Sequence, residues 1–172
     1  SSPSGGGKTS LINKLFEDSR SANFEKSISD TSRQKRQGDL EGKDYYFLSE
    51  KDFKDKIKKE EYVEYATVFG NFYGTSKEEI KTKYNNSNLI LELDWQGAYA
   101  VKELFDDAKL IFLVPPSLDD LKQRLIKRNL DSSEAIENRL SEAKKEISKS
   151  EMYDYLVLND DFDKAFEDLS QI

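Results

Sequence analysis

The run Leu110–Ile111–Phe112–Leu113–Val114 is apolar at every position and stops at Pro115–Pro116. Five successive apolar side chains leave no face for water, so a strand here must be covered on both sides. Leu89–Ile90–Leu91–Glu92–Leu93–Asp94 and Tyr155–Leu156–Val157–Leu158 read as buried strands too. Around these runs apolar residues fall at helical spacing, over 98–105 and over 117–127 with Leu118, Leu121 and Leu125. Strands alternating with helices predict an α/β fold built on a parallel sheet with crossover helices.

Residues 28–78 have a different texture, with short aromatic runs such as Tyr45–Tyr46–Phe47–Leu48 broken by polar turns. Gly70–Asn71, between Phe69 and Phe72, predicts a two-residue hairpin turn. Ser49 with Asp52 three residues on predicts a helix start. The segment therefore reads as a small, mostly antiparallel lobe inserted into the parallel core. Residues 118–149 read as a helical region rich in charge, with Asp131 and Glu134 opening its second helix. Ile136, Leu140, Ala143 and Ile147 then make one apolar stripe. The core is left with 1–27, 79–117 and 150–172 of what is, at 172 residues, a single domain by length.

Ahead of the helix that continues through Leu11, Ile12, Leu15 and Phe16 stands Ser4–Gly5–Gly6–Gly7–Lys8–Thr9–Ser10. A glycine-rich loop ending in Gly-Lys-Thr turns backbone N–H groups toward phosphates, which the positive end of the following helix also attracts. Lys8 would reach the outer phosphates of ATP, and the Thr9 hydroxyl would ligate Mg²⁺. The plain alternative is a flexible surface turn. Ser2 replaces the first glycine of the pattern, and no strand precedes the loop, so upstream apolar residues are expected before Ser1.

A net charge of −7 disfavours nucleic acid and anionic membranes, so any anionic ligand must be drawn by a local basic cluster. With no histidine and no cysteine, chemistry falls to Lys, Arg, Asp, Glu, Tyr and a bound cation. No apolar run is long enough to span a bilayer, and a cytoplasmic enzyme is expected. One candidate basic cluster lies in Ser29–Asp30–Thr31–Ser32–Arg33–Gln34–Lys35–Arg36, followed by Gly42–Lys43–Asp44–Tyr45. Two arginines and a tyrosine hydroxyl suit a monophosphate, and they equally suit a solvated basic face beside core aromatics.

Together these motifs resemble the guanylate kinases, over essentially the whole chain. The likeness rests on the phosphate loop, on Ser29 to Gly38, on Gly42–Lys43–Asp44–Tyr45 and on Glu64. It continues through Gly70–Asn71–Phe72–Tyr73–Gly74–Thr75, Glu92–Leu93–Asp94–Trp95–Gln96–Gly97–Ala98, Pro115–Pro116–Ser117, Arg124, Arg128, Arg139 and Asn159–Asp160–Asp161. The resemblance implies transfer of a phosphoryl group from Mg²⁺-bound ATP to GMP. It gives Arg33, Arg36, Tyr45 and Tyr73 to the GMP phosphate, and Ser29, Glu64 and Thr75 to the guanine. Asp94 would sit between acceptor and metal-bound phosphates, Arg128 and Arg139 would close over the transferring group, and Asn159 would lie near the adenine.

A carboxylate at Glu64 suits guanine, whose N1–H and N2–H₂ it accepts in parallel; adenine offers an acceptor at N1 instead. The alternative for Glu64 is a solvent-facing strand residue between Val63 and Tyr65. Asp30, Lys35, Asp39 and Tyr65 depart from the residues common in the family. Asp30 is expected to burden GMP binding with negative charge beside the arginines. Rival readings are a catalytically inactive binding module and a kinase for another acceptor. Oligomeric state is left open.

Overall fold

The computed structural model describes residues 1–84, 87–128 and 132–172, with Arg128 described by its backbone alone. In chain order the elements begin with α1 (Lys8–Glu17), β1 (Phe24–Lys26), β2 (Asp30–Thr31) and β3 (Tyr46–Phe47). They continue with α2 (Glu50–Lys58), β4 (Tyr62–Val68), β5 (Asn71–Ser76), α3 (Lys77–Tyr84) and β6 (Asn88–Ile90). α4 (Trp95–Leu104), β7 (Ile111–Val114), α5 (Leu118–Arg128), α6 (Ser133–Ser148), β8 (Tyr155–Leu158) and α7 (Phe162–Ser170) complete them. The described residues thus form a mixed α/β structure of seven α-helices. Its strands make two parallel pairs, β1 with β6 and β7 with β8, and one mixed four-stranded sheet. The chain divides into two compact units, Ser1–Ala22 with Asp107–Ile172, and Asn23–Asp106.

In the first unit β7 and β8 run in parallel register from Ile111 opposite Tyr155 to Val114 opposite Leu158. Ser1 flanks β7: its amine donates to the Ile111 carbonyl at 2.7 Å, and its carbonyl accepts from Leu113 N–H at 2.9 Å. These bonds fix the start of the phosphate loop against a core strand. Leu11 of α1 and Ala165 and Phe166 of α7 pack with Leu113 and Val157. A second cluster joins α5 and α6 through Leu121, Leu125, Ile136 and Ala143, the stripes that sequence periodicity predicts. Two expectations need correction. Only Val157 of β8 is buried, whereas Leu156 is 57% exposed, because no described element covers that face of an edge strand. The cap of α6 is Ser132, whose Oγ accepts from Ala135 N–H at 3.2 Å; Asp131 lies outside the described residues.

In the second unit the four-stranded sheet has the order β3-β2-β5-β4, antiparallel except between β2 and β3. α2 starts where Ser49 accepts from Asp52 N–H, as expected. Its Phe53, fully buried, stacks on Tyr62 with centroids 4.6 Å apart and on Phe72 at 5.3 Å. The β4–β5 turn is Phe69–Gly70 rather than Gly70–Asn71, since Val68 pairs with Asn71. Both turn residues have positive φ, 48° and 76°, as a twisted two-residue hairpin requires. The Asn71 side-chain amide donates to the Phe69 carbonyl at 3.2 Å and supports that conformation. β6 stops at Ile90, short of the expected Asp94. Its ladder with β1 ends at Lys26 opposite Ile90, and Ser27 N–H then donates to the Ile90 carbonyl. β1 escaped sequence reading because three residues, Phe24–Glu25–Lys26, carry no periodic signal.

Candidate functional site

Within the first unit, Ser4 to Ser10 wrap into the start of α1. Gly6 N–H donates to the Pro3 carbonyl at 2.8 Å, closing a turn. Gly5 and Gly7 hold φ of 91° and 92°, a left-handed conformation that side chains disfavour. Gly7 is the N-cap of α1 and has no side chain to occupy the first-turn N–H groups, which stay directed at whatever anion the loop receives. Lys8 begins that turn, followed by Thr9 and Ser10, both exposed.

Asn159 follows β8 and is 4% exposed. Its side-chain amide donates to the Gly6 carbonyl at 2.7 Å, while its own carbonyl accepts from Arg124 Nη2 at 2.8 Å. A cavity of about 300 Å³ opens here, lined by Gly5, Gly7, Ser10, Arg124, Asn159 and Phe162, among others. Sequence reasoning gave Asn159 to the nucleotide but missed Phe162, the first residue of α7, which Asp161 caps. The signal available was an aromatic directly after Asn159–Asp160–Asp161. Arg139 Nη1 donates to Ser4 Oγ at 2.5 Å, which brings α6 to the loop. The side chain of Arg128 lies outside the described residues.

The donor set suits Mg²⁺ held mainly by nucleotide oxygens. Thr9 offers an exposed hydroxyl in the loop, and no cluster of three or more acidic side chains among the described residues is placed to hold a metal ion by itself. No helix among them is long and apolar enough to cross a membrane.

The second unit gathers the other predicted residues. Arg33 Nη1 donates to Asp39 Oδ2 at 2.8 Å, and the same oxygen accepts from Arg36 N–H at 2.7 Å. The Arg33 guanidinium lies 5.4 Å from the Tyr45 ring centroid and 5.5 Å from that of Phe47. Burial opposes its charge more than any single group favours it, yet the hydrogen bond and the charge of Asp39, with smaller contributions from Tyr73 and Tyr45, together hold Arg33 above its ordinary value. Tyr45 meets Tyr73 edge-on at 5.8 Å. Burial above all, then the charge of Glu92, pushes the Tyr45 hydroxyl up to about 12, so it remains a donor at neutral pH. Arg36 is exposed.

Asp30, expected to place negative charge beside these arginines, has partners of its own. Its carboxylate, 4% exposed, accepts from Lys56 Nζ at 2.5 Å and from the Tyr62 hydroxyl at 2.8 Å. Its charge is thus answered by α2 and β4.

Ser29, Glu64 and Thr75 are brought together in the sheet. Thr75 is fully buried, Glu64 and Ser29 are 6% and 9% exposed, and the Ser29 and Thr75 hydroxyls stand 3.5 Å apart. The pairing of Glu64 with Thr75 follows from the turn at Phe69–Gly70; a turn one residue later would set Lys77 opposite Glu64. Glu64 Oε1 is buried with no hydrogen-bond partner among the described residues. Desolvation raises this carboxyl to about 7, against hydrogen bonds from the Thr75 hydroxyl and N–H that hold it down, with the nearby Asp94 charge adding to the rise. Asp94 itself caps α4, its Oδ1 accepting from Gly97 N–H at 2.9 Å. Glu64 Oε1, buried in the strand position opposite Thr75, has room for a further hydrogen bond.

The guanylate kinase family model matches residues 1–172. The chain belongs to the guanylate kinase family. It is 48% identical to the guanylate kinase of Hahella chejuensis, covering all of this chain and 82% of that protein. It is 45% identical to the guanylate kinase of the Wolbachia of Brugia malayi, over all of this chain and 88% of that relative. The crystal structure of guanylate kinase from Anaplasma phagocytophilum matches with a TM-score of 0.76 at 35% identity, over 94% of this chain and 77% of that one.

Proposed function

We propose that this chain transfers the γ-phosphoryl group of ATP to GMP, giving ADP and GDP. The observation that carries this reading is the unpartnered Glu64 oxygen beside Ser29 and Thr75. Guanine supplies a donor for that oxygen as one of two parallel N–H groups, N1–H and N2–H, that a carboxylate accepts side by side, whereas adenine offers an acceptor at N1. A site built to hydrogen-bond one base rejects a base lacking those donors by a large factor, up to about 10⁴-fold or more.

In this reading the loop N–H groups from Ser4 to Ser10 and the ammonium of Lys8 hold the ATP phosphates, and Asn159 stands near the adenine. The Thr9 hydroxyl holds Mg²⁺, which when bound neutralises phosphate charge. Arg33, Arg36, Tyr45 and Tyr73 orient the GMP phosphate, whose anionic oxygen forms the new bond to the γ-phosphorus as the bond to the ADP oxygen breaks. The acceptor is already an anion, so no general base is needed. Positioning and charge neutralisation by Lys8, Arg128 and Arg139 then dominate. Asp94 would sit between the acceptor and the ATP phosphates. Residues 28–78 serve as the acceptor lobe, 118–149 as the lid and the remainder as the core, in a cytoplasmic enzyme.

The test is ADP release from ATP and Mg²⁺ by the whole chain, offered GMP, AMP, CMP or UMP. Release that depends on GMP, and that Lys8→Ala removes without loss of fold, is expected. Equal release with AMP would overturn the base assignment, and near-normal turnover by Lys8→Ala would overturn the loop assignment.

A further inference from the structure

Gly97 lies in the first turn of α4, a helix of ten residues from Trp95 to Leu104. Glycine inside a helix costs about 1 kcal/mol relative to alanine, so its presence there needs a reason. Backbone conformation is not that reason, because Gly97 is helical and has no positive φ. The reason lies in space. A Cβ built on Gly97 would stand 2.7 Å from Glu64 Oε2 and 3.2 Å from Glu64 Cδ, with Leu93 Cβ next at 3.4 Å. At the first of these distances something must shift, and the group that yields is the far end of the Glu64 side chain, its carboxylate.

That carboxylate has defined surroundings. Its strand position is set opposite Thr75, at the register shift between Tyr62 and Glu64. One oxygen lies against the α4 backbone at Gly97 while the other is unpartnered. We infer that Gly97 is a specificity-determining positioning residue: its missing side chain lets Glu64 withdraw against α4 and so sets where the base edge must lie. A methyl group there pushes the carboxylate into the space meant for guanine. Two parallel N–H···O bonds tolerate only a few tenths of an ångström of displacement before both lengthen and bend. This inference rests on Glu64 reading the base, and its test separates the two.

The experiment measures KM for GMP and for ATP, and the GMP-to-AMP preference. The proteins are the native chain, Gly97→Ala, Glu64→Gln, Glu64→Asp and the double variant Gly97→Ala/Glu64→Asp. Gly97→Ala is expected to raise KM for GMP about tenfold or more, the size of a lost hydrogen bond to a charged group, and to leave KM for ATP within about twofold. Glu64→Asp shortens the side chain by one methylene and makes room, so Gly97→Ala should cost less than about threefold in that background. The same loss in both backgrounds would overturn the inference, since a general disturbance of α4 does not depend on the length of residue 64. An unchanged KM for GMP in Gly97→Ala, with Glu64→Gln strongly impaired, overturns the inference and leaves the base reading standing. An unchanged KM in Glu64→Gln overturns the base reading and this inference with it. Should Gly97→Ala lose its fold, recovery by Glu64→Asp supports the proposal, and failure to recover refutes it.

Discussion

An unpartnered carboxylate oxygen inside a folded sheet is a standing cost, because burial removes water from a group that prefers to be charged. At Glu64 the cost is met by holding the proton: the carboxyl titrates at about 7, against an ordinary value of 4.5. The folded chain therefore binds this proton more tightly than the unfolded chain does. Stability that is complete below about pH 4.5 falls as pH rises through 7, by roughly 3 kcal/mol at one pKa unit per 1.36 kcal/mol. GMP reverses the preference, since its two base donors favour the ionised form. GMP affinity should thus increase between pH 5.5 and 8, and binding near neutrality should release part of a proton. Calorimetry in buffers of different ionisation enthalpy reads that release directly. Because the GMP phosphate also titrates near pH 6, the diagnostic quantity is the difference between the native chain and Glu64→Gln. If the two release protons equally, Glu64 is not the group that ionises.

Among elements, α2 and β2 are joined by one buried charge. Asp30 of β2 receives Lys56 of α2 and Tyr62 of β4, and burial with that hydrogen bond raises the Tyr62 hydroxyl well above its ordinary range. Asp30→Ala leaves an ammonium and a phenol without their acceptor, which should destabilise the chain by about 2–3 kcal/mol in urea unfolding. The double variant Asp30→Ala/Lys56→Met should recover much of that loss; no recovery would mean that Asp30 acts on β2 alone. Neither Lys56 nor Tyr62 stands near Asp30 in the chain, so this link was not legible in sequence, where Asp30 read as a charge beside Arg33. Local signals fared better. Ser49 and Asp52 announce α2, and the Leu118, Leu121, Leu125 stripe announces α5, because capping and helical periodicity are decided within one turn. The hairpin was misplaced by one residue because Gly70 suits either turn, and the decision belongs to the β4–β5 register. Gly97 likewise gave no sign of its contact, since the Glu64 side chain it faces lies on β4, far away in sequence.

At the scale of the whole molecule, a net charge of −7 has to coexist with two polyanionic substrates, so attraction must come from local sets of donors. The proposed phosphate loop stood out in sequence because its glycines, lysine and threonine are contiguous. The acceptor set could be read only through resemblance, for Ser29, Glu64 and Thr75 meet by strand pairing across 46 positions. The two sets fall in different compact units: the loop, Arg139 and Asn159 in the first, and Ser29, Arg33, Arg36, Tyr45, Glu64, Tyr73, Thr75 and Asp94 in the second. A ligand that binds only the folded form of a unit raises the free energy of opening that unit, by about 2.7 kcal/mol at a hundredfold excess over Kd. Hydrogen exchange resolves such openings segment by segment. GMP alone should slow exchange at the amides around Ser29, Glu64 and Thr75, within Asn23–Asp106. A non-hydrolysable ATP analogue with Mg²⁺ should slow the amides of Ser4 to Ser10 and those around Asn159. The ligands are chemically alike in their phosphates and differ in base, so this division would follow from which residues read the base. Protection by GMP confined to the loop from Ser4 to Ser10 would place the acceptor in the ATP set and remove Glu64 from recognition altogether.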